Sequence, residues 1–149
     1  MKAYLSRRYH FSASHRLHAD SLSEDQNRLT FGKCNNPFGH GHNYTVEVCF
    51  SGPVDPATGM VTNLSDLDAF AREHLLEPFD QTNLNTLQLF ATVVPSTENL
   101  ALALHRIFAP YPYAKLERIH IEETPNNSFD YVGDREPGRR TLNQKGTTA

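Results

Sequence analysis

The chain has 149 residues, 38% of them hydrophobic, enough for one domain whose core needs no disulfide staples. Its 14 basic and 17 acidic side chains leave a net charge of −3, with no electrostatic footprint for nucleic acid or a membrane surface. Two cysteines are too few for a disulfide framework, Met1 to Leu5 is no apolar leader, and no run reaches membrane-spanning length, so a soluble cytoplasmic protein is expected.

A first strand is expected from about Tyr4 to His15, because Arg7, Tyr9, Phe11, Ala13 and His15 put mostly apolar residues on one face. His15 ends that core-facing row, either as a buried histidine bonded to backbone or as a ligand. His10 and His18 fall off the row and read as surface residues, and the polar run Ala19 to Asn27 reads as an exposed loop. The stretch from Phe31 to Tyr44 then brings Cys34, a turn at Asn35-Asn36-Pro37, and the pair His40 and His42 framed by Gly39 and Gly41. Glycine at those places lets the backbone pass close to a ligand or another segment. A second strand runs from about His42 to Phe50, with His42, Tyr44, Val46, Val48 and Phe50 on one face and His40 continuing it backward. Cys49, on the opposite parity, reads as a packing residue.

Gly52-Pro53 and Asp55 to Gly59 make a turn-rich connection into a short extended piece, Met60 to Thr62. Ser65 is expected to cap a helix with the stripe Leu67, Phe70, Ala71 and Leu75, ended by Pro78, and residues 79–85 read as a loop. A second helix follows Pro95, capped by Ser96 or Thr97 and running to Pro110. A third strand, Lys115 to Glu123, aligns Ile119, Ile121 and Glu123, and Ser128 to Val132 returns after a turn. The order β-β-α-α-β-β predicts an α+β fold, an antiparallel sheet with both helices on one face. Its other face or its edges are expected to meet neighbouring subunits. One domain is expected over residues 1–133, with 134–149 a flexible tail that lacks any apolar period.

Two histidines two apart on an extended segment point the same way, so His40 and His42 can share one ion. Zinc takes imidazole nitrogen readily, and a catalytic zinc uses three protein ligands with one position open. His15 is the natural third, since a core-row residue at a strand end can meet the start of the neighbouring strand. Cys34 is then either a fourth ligand that closes a structural site, or a thiolate base or nucleophile beside the metal with its pKa lowered by Lys33 or the ion.

The segments Phe11 to Leu17, Phe31 to Tyr44, Asp55 to Val61, Ser96 to Asn99 and Glu123 to Asn127 together resemble the 6-pyruvoyl-tetrahydropterin synthase family, over about residues 9 to 133. The five-residue spacer between Cys34 and His40 is similar to that of the eukaryotic-type synthases, whereas the related bacterial 6-carboxytetrahydropterin synthases have a shorter one. The resemblance implies the tunnelling fold, with subunits joining their sheets into a barrel as a homohexamer of two trimers. It implies Zn2+ held by His15, His40 and His42, with Cys34 as the catalytic base outside the coordination sphere. It implies a pterin substrate, 7,8-dihydroneopterin triphosphate, from which a lyase of tetrahydrobiopterin biosynthesis eliminates triphosphate. Glu123 ends an apolar row where an unpaired carboxylate is costly, and a pterin's amino and ring N–H edge would give it a bidentate partner. Ser96 and Thr97 match the family's hydroxyl contacts to the pterin, and are also sound helix caps. Lys33 and Arg16 are candidates for the triphosphate.

One position departs from the pattern. The family has Asp-His where this chain has Asp80-Gln81, and that histidine is the relay partner of the cysteine base. Glutamine hydrogen-bonds and orients, but it does not shuttle a proton near neutral pH. Asp80 remains an expected catalytic residue, and Gln81 leaves three outcomes open. These are a slow enzyme that keeps zinc and Cys34, a different product (a carboxy-pterin, or one of side-chain cleavage), or an altered residue at position 81. A non-catalytic pterin- or zinc-binding protein is the alternative from another class. A metal-hydroxide hydrolase is disfavoured, because the chain has no His-Glu-x-x-His helix.

Overall fold

The computed structural model describes residues 1–134, so the expected tail lies, beyond Asp134, outside the described residues. The elements in chain order are β1 (Lys2–His15), α1 (Glu24–Phe31), β2 (His40–Pro53), α2 (Leu64–Ala71), α3 (Glu77–Phe79), β3 (Thr82–Asn83), α4 (Thr97–Phe108), β4 (Lys115–Thr124) and β5 (Asn127–Tyr131). The strands form one sheet in the order β3-β1-β2-β4-β5, antiparallel except for the two-residue β1–β3 pairing. This is the expected α+β architecture. Among the described residues no helix is long and apolar enough to cross a membrane.

The alternation in the sequence decides which face is buried. Tyr9, Phe11 and Ala13 from β1, Tyr44, Val46, Val48 and Phe50 from β2, and Ile119 and Ile121 from β4 form the inner face. Leu67, Ala71 and Leu75 pack on it from the α2 segment, and Leu100, Leu104 and Phe108 from α4. Strands β1 and β2 pair without interruption from Lys2↔Pro53 to His15↔His40, both longer than expected. The inner row therefore runs straight from the core into the three histidines. A bulge between Cys49 and Phe50 locally breaks the alternation, which explains why Cys49 is buried despite its parity.

Several local expectations are corrected. The end of the polar run 19–27 is helical: Ser23 and Gln26 form a reciprocal capping box that starts α1. The cap of α2 is Asn63, whose side chain accepts from Ser65 N–H, so the helix starts one residue before the serine expected to cap it. Pro78 does not end the helical path either. Residues 72–76 widen into a π turn in which Glu77 N–H donates to Arg72 O, and the chain passes Pro78 within that continuous helical path before it ends at Phe79. The loop expected over 79–85 contains β3.

Candidate active site

Strand register brings the histidines together. His15 pairs with His40 and Ala13 with His42, so the end of β1 faces the start of β2 with three imidazoles on the inner side. Their ring centroids lie 4.6 to 5.3 Å apart. Gly39 makes this approach possible. It has φ +70°, and a Cβ there would lie 2.7 Å from the carbonyl oxygen of His15, a clash with backbone that cannot swing away. Gly41 has no such constraint, since a Cβ there would be in ordinary contact with Ala13 O at 3.7 Å.

His15 is fully buried, and its Nδ1 lies 2.9 Å from the carbonyl oxygen of Pro95. A carbonyl only accepts, so Nδ1 carries the proton and neutral His15 presents a bare Nε2 lone pair. That lone pair faces His42 Nε2 at 3.2 Å. His40 Nε2 is buried with no partner among the described residues. Burial pushes the pKa of His15 and His42 down, which favours the neutral form that binds metal. The site atoms of His15, Cys34 and His40 lie within 4.8 Å of one another, as do those of His15, His42 and Glu123. An orphaned buried nitrogen, a lone pair fixed by a backbone carbonyl and adjacent thiol and carboxylate donors fit a borderline-soft cation.

Glu123 continues the inner row of β4. Its Oε1 lies 3.3 Å from His42 Nε2 and 3.7 Å from His15 Nε2, while its Oε2 accepts from Asn127 Nδ2 at 2.9 Å. Ser96 caps α4 by accepting from Asn99 N–H, as its sequence position requires. Thr97 is 3% exposed, yet its hydroxyl has no hydrogen-bond partner among the described residues. A buried hydroxyl left unpaired costs about 1–3 kcal/mol, which a bound polar group would offset.

Cys34 sits half-buried on a 3-10 turn, Gly32–Asn35, just after α1. The expected lowering of its pKa by Lys33 is corrected: burial pushes the thiol up, and the Glu123 carboxylate adds to the rise. Lys33 lines a separate cavity beside His40. The turn is stitched to the chain after β1 by Leu17 N–H to Cys34 O at 2.7 Å and Asn35 Nδ2 to Leu17 O at 2.8 Å. Asn35, the Pro95 carbonyl and Asn85, whose Oδ1 accepts from Arg16 N–H at 2.7 Å, thus hold the chain around the site, and no motif announced Asn85 or the Pro95 carbonyl.

Asp80 and Gln81 do not join this cluster within the chain. Asp80 accepts from Ser12 N–H at 2.9 Å, and Gln81 N–H donates to Ser12 O at 2.7 Å, which fixes both at the outer edge of β1. Gln81 lines a shallow cavity with Ser12, Ser14 and Asn43, of the parity opposite the core row, and with Ala13 and His42 of that row at the strand ends.

The sequence profile described as 6-pyruvoyl tetrahydropterin synthase matches residues 4–134. The chain is 46% identical over 135 residues to the Homo sapiens 6-pyruvoyl tetrahydrobiopterin synthase, covering 89% of this chain and 93% of the relative. It is 43% identical over 135 residues to the Drosophila melanogaster protein of the same name, covering 88% and 80%. It superimposes on the solved structure of Caenorhabditis elegans 6-pyruvoyl tetrahydropterin synthase with a TM-score of 0.83 at 38% identity, covering 90% of this chain and 97% of that one. Fold, inner-row cluster and sequence likeness across the described residues agree, and this chain belongs to the 6-pyruvoyl tetrahydropterin synthase family.

Proposed function

We propose that the protein is a cytoplasmic, zinc-dependent lyase that eliminates triphosphate from 7,8-dihydroneopterin triphosphate. The observation that carries this reading is the convergence of His15, His40, His42, Cys34 and Glu123 at one end of the sheet, in a chain of this family. His15, His40 and His42 hold the metal, with His15 locked in the ligating tautomer by Pro95 O. Zinc, when bound, polarises the substrate's side-chain hydroxyls and their C–H bonds and favours the thiolate of Cys34. Cys34 then takes a carbon-bound proton, and the triphosphate leaves. Glu123 accepts from the pterin's N–H edge, and the unpaired Thr97 hydroxyl and the start of α4 supply further polar contacts to the ring.

Asp80 and Gln81 face outward at the sheet edge, so they reach Cys34 chemistry only if they enter a neighbouring subunit's site. That arrangement accords with a homohexamer of two trimers. Gln81 favours a second reading, in which the proton inventory is altered and the product is a carboxy-pterin or a side-chain cleavage product. The deciding experiment is incubation with 7,8-dihydroneopterin triphosphate and zinc, with every product identified by mass. Triphosphate release with a 6-pyruvoyl product, lost in Cys34→Ala, supports the lyase. Zinc and pterin binding without turnover, unchanged in Cys34→Ala, refutes it.

A further inference from the structure

The turn between β4 and β5 carries a chain of hydrogen bonds that ends on Glu123. Strand pairing shifts between Glu122↔Ser128 and Thr124↔Asn127, so Glu123 is the unpaired residue of a bulge, a place where a side chain is re-aimed. Thr124 Oγ1 accepts from Asn126 N–H at 3.2 Å and donates to Asn127 Oδ1. Asn127 Nδ2 in turn donates to Glu123 Oε2 at 2.9 Å. Chemistry fixes the direction of this chain, because a carboxylate only accepts and must face the nitrogen of the amide. The amide oxygen is then left for the threonine hydroxyl.

The other carboxylate oxygen faces the histidines. Glu123 Oε1 lies 3.3 Å from His42 Nε2 and 3.7 Å from His15 Nε2, and those two nitrogens are 3.2 Å apart. Two ligands of one tetrahedral zinc, each at ~2.0 Å, are themselves ~3.3 Å apart. Glu123 therefore stands within reach of the position that a catalytic metal must keep open. Its side chain is 14% exposed, and among the described residues no lysine or arginine pairs with it. A divalent cation beside it would draw the carboxylate in, and the bond from Asn127 to the far oxygen opposes that pull.

We propose that Asn127 is a positioning residue, whose bond to Oε2 keeps Glu123 turned to the pterin's N–H edge and off the open position of the metal. The inference rests on the metal and pterin reading above. Thr124 supports the restraint by fixing which way the amide points. A carboxylate that moved onto the metal would close the open position and leave the pterin without its acceptor.

The test loads the full chain with Co2+, whose visible absorption reports its ligands, and titrates azide into the open position. Binding of 7,8-dihydroneopterin to the zinc-loaded chain is followed by fluorescence. In Asn127→Ala, azide and pterin should each bind about tenfold more weakly, the value of one hydrogen bond to a charged group. The cobalt bands should also shift before any azide is added. Thr124→Val leaves the amide in place but free to turn, and should move both affinities the same way by a smaller factor. Asn127→Ala combined with Glu123→Gln should restore azide affinity to within about twofold of the original, while the pterin still binds weakly. A merely loosened turn would gain nothing from that second substitution. Unchanged cobalt bands and azide affinity in Asn127→Ala overturn the proposal, as does a loss of azide binding that Glu123→Gln fails to reverse. The expected shifts in a protein that never releases triphosphate would sink the lyase reading and leave the positioning role standing. Triphosphate release with equal azide affinity in all variants would do the reverse.

Discussion

At the scale of single residues, Gln81 and Gly39 carry the sharpest consequences. Gln81 holds φ +59°, pinned by its N–H to Ser12 O, and histidine is among the side chains enriched in that left-handed region. Gln81→His is therefore compatible with the backbone and supplies an imidazole that titrates near neutrality. Triphosphate release from dihydroneopterin triphosphate should rise about tenfold or more. Equal turnover of the two forms would show that no relay through position 81 limits this protein. Gly39→Ala should act in the opposite direction. The added carbon must push away the backbone of His15, so a loss of about 1–3 kcal/mol in stability is expected together with weaker zinc binding. Thermal unfolding and a zinc titration of the same variant check both effects, and unchanged affinity would mean that Gly39 does not set the ligand spacing. The need for glycine at position 39 was legible in the sequence. The contact that imposes it was not, because His15 and Gly39 are joined only by the strand register.

At the scale of elements, α2 is clamped to β1 by one carboxylate. Asp68 accepts two parallel bonds from Arg7, both at 2.8 Å, and a third from Tyr9 OH at 2.8 Å. The hydrogen bonds and charge of Arg7 hold the Asp68 carboxyl below the ordinary value of 3.8. A carboxylate with a depressed folded pKa contributes stability above its unfolded pKa and loses it as pH falls through the folded value. Asp68→Asn should thus cost about 1 kcal/mol at neutral pH, discounted for the partial exposure of the pair. The gap to the wild type should close in strongly acid solution, as urea unfolding at several pH values would show. A gap that persists in acid would assign the cost to packing. Sequence periodicity found α4 and the three long strands, because their buried faces repeat over many residues. It missed α1, although Ser23 and Gln26 spell a capping box, because the helix behind them is polar and has little stripe to read. It missed the π turn because Pro78 reads as a stop when the chain can instead widen by one residue and pass it.

At the scale of the whole molecule, the inner-row histidines, Cys34 and Glu123 meet within one chain, while Asp80 and Gln81 stand at its rim. Parity predicted the histidines and Glu123, since alternation along β1, β2 and β4 aims those side chains at one end of one face, whereas Cys34, on a turn outside the strands, was marked by its place in the stretch before His40. Parity had no means of predicting the second group, which depends on what lies against the edge. Among the described residues, strands β3 and β5 are the two edges of the sheet, with unpaired backbone groups available to another copy. Sedimentation should show an oligomer, and a stable monomer would remove the shared-site reading. If sites are shared, Cys34→Ala and Asp80→Ala chains, each inactive alone, should regain activity after refolding together. Random pairing of mutant surfaces allows up to about a quarter of the sites to be intact. No recovery in mixed oligomers would place Asp80 outside the chemistry.

The uninterrupted pairing of β1 with β2 has a consequence for how this chain tolerates change in length. Fourteen facing pairs link Lys2↔Pro53 to His15↔His40, and every side chain's direction follows from its count along the strand. Deleting one residue inside residues 2–15 turns either the core row or His15 to the wrong side, whichever lies beyond the cut. Deleting two restores the direction but leaves His15 opposite a different partner. The outward positions Ser6 and His10 tolerate exchange of side chains better by comparison, since nothing in the inner row depends on their identity. The chemistry of this protein is thus written in the spacing of a strand as much as in its letters, and a frame-preserving deletion is more damaging there than most substitutions.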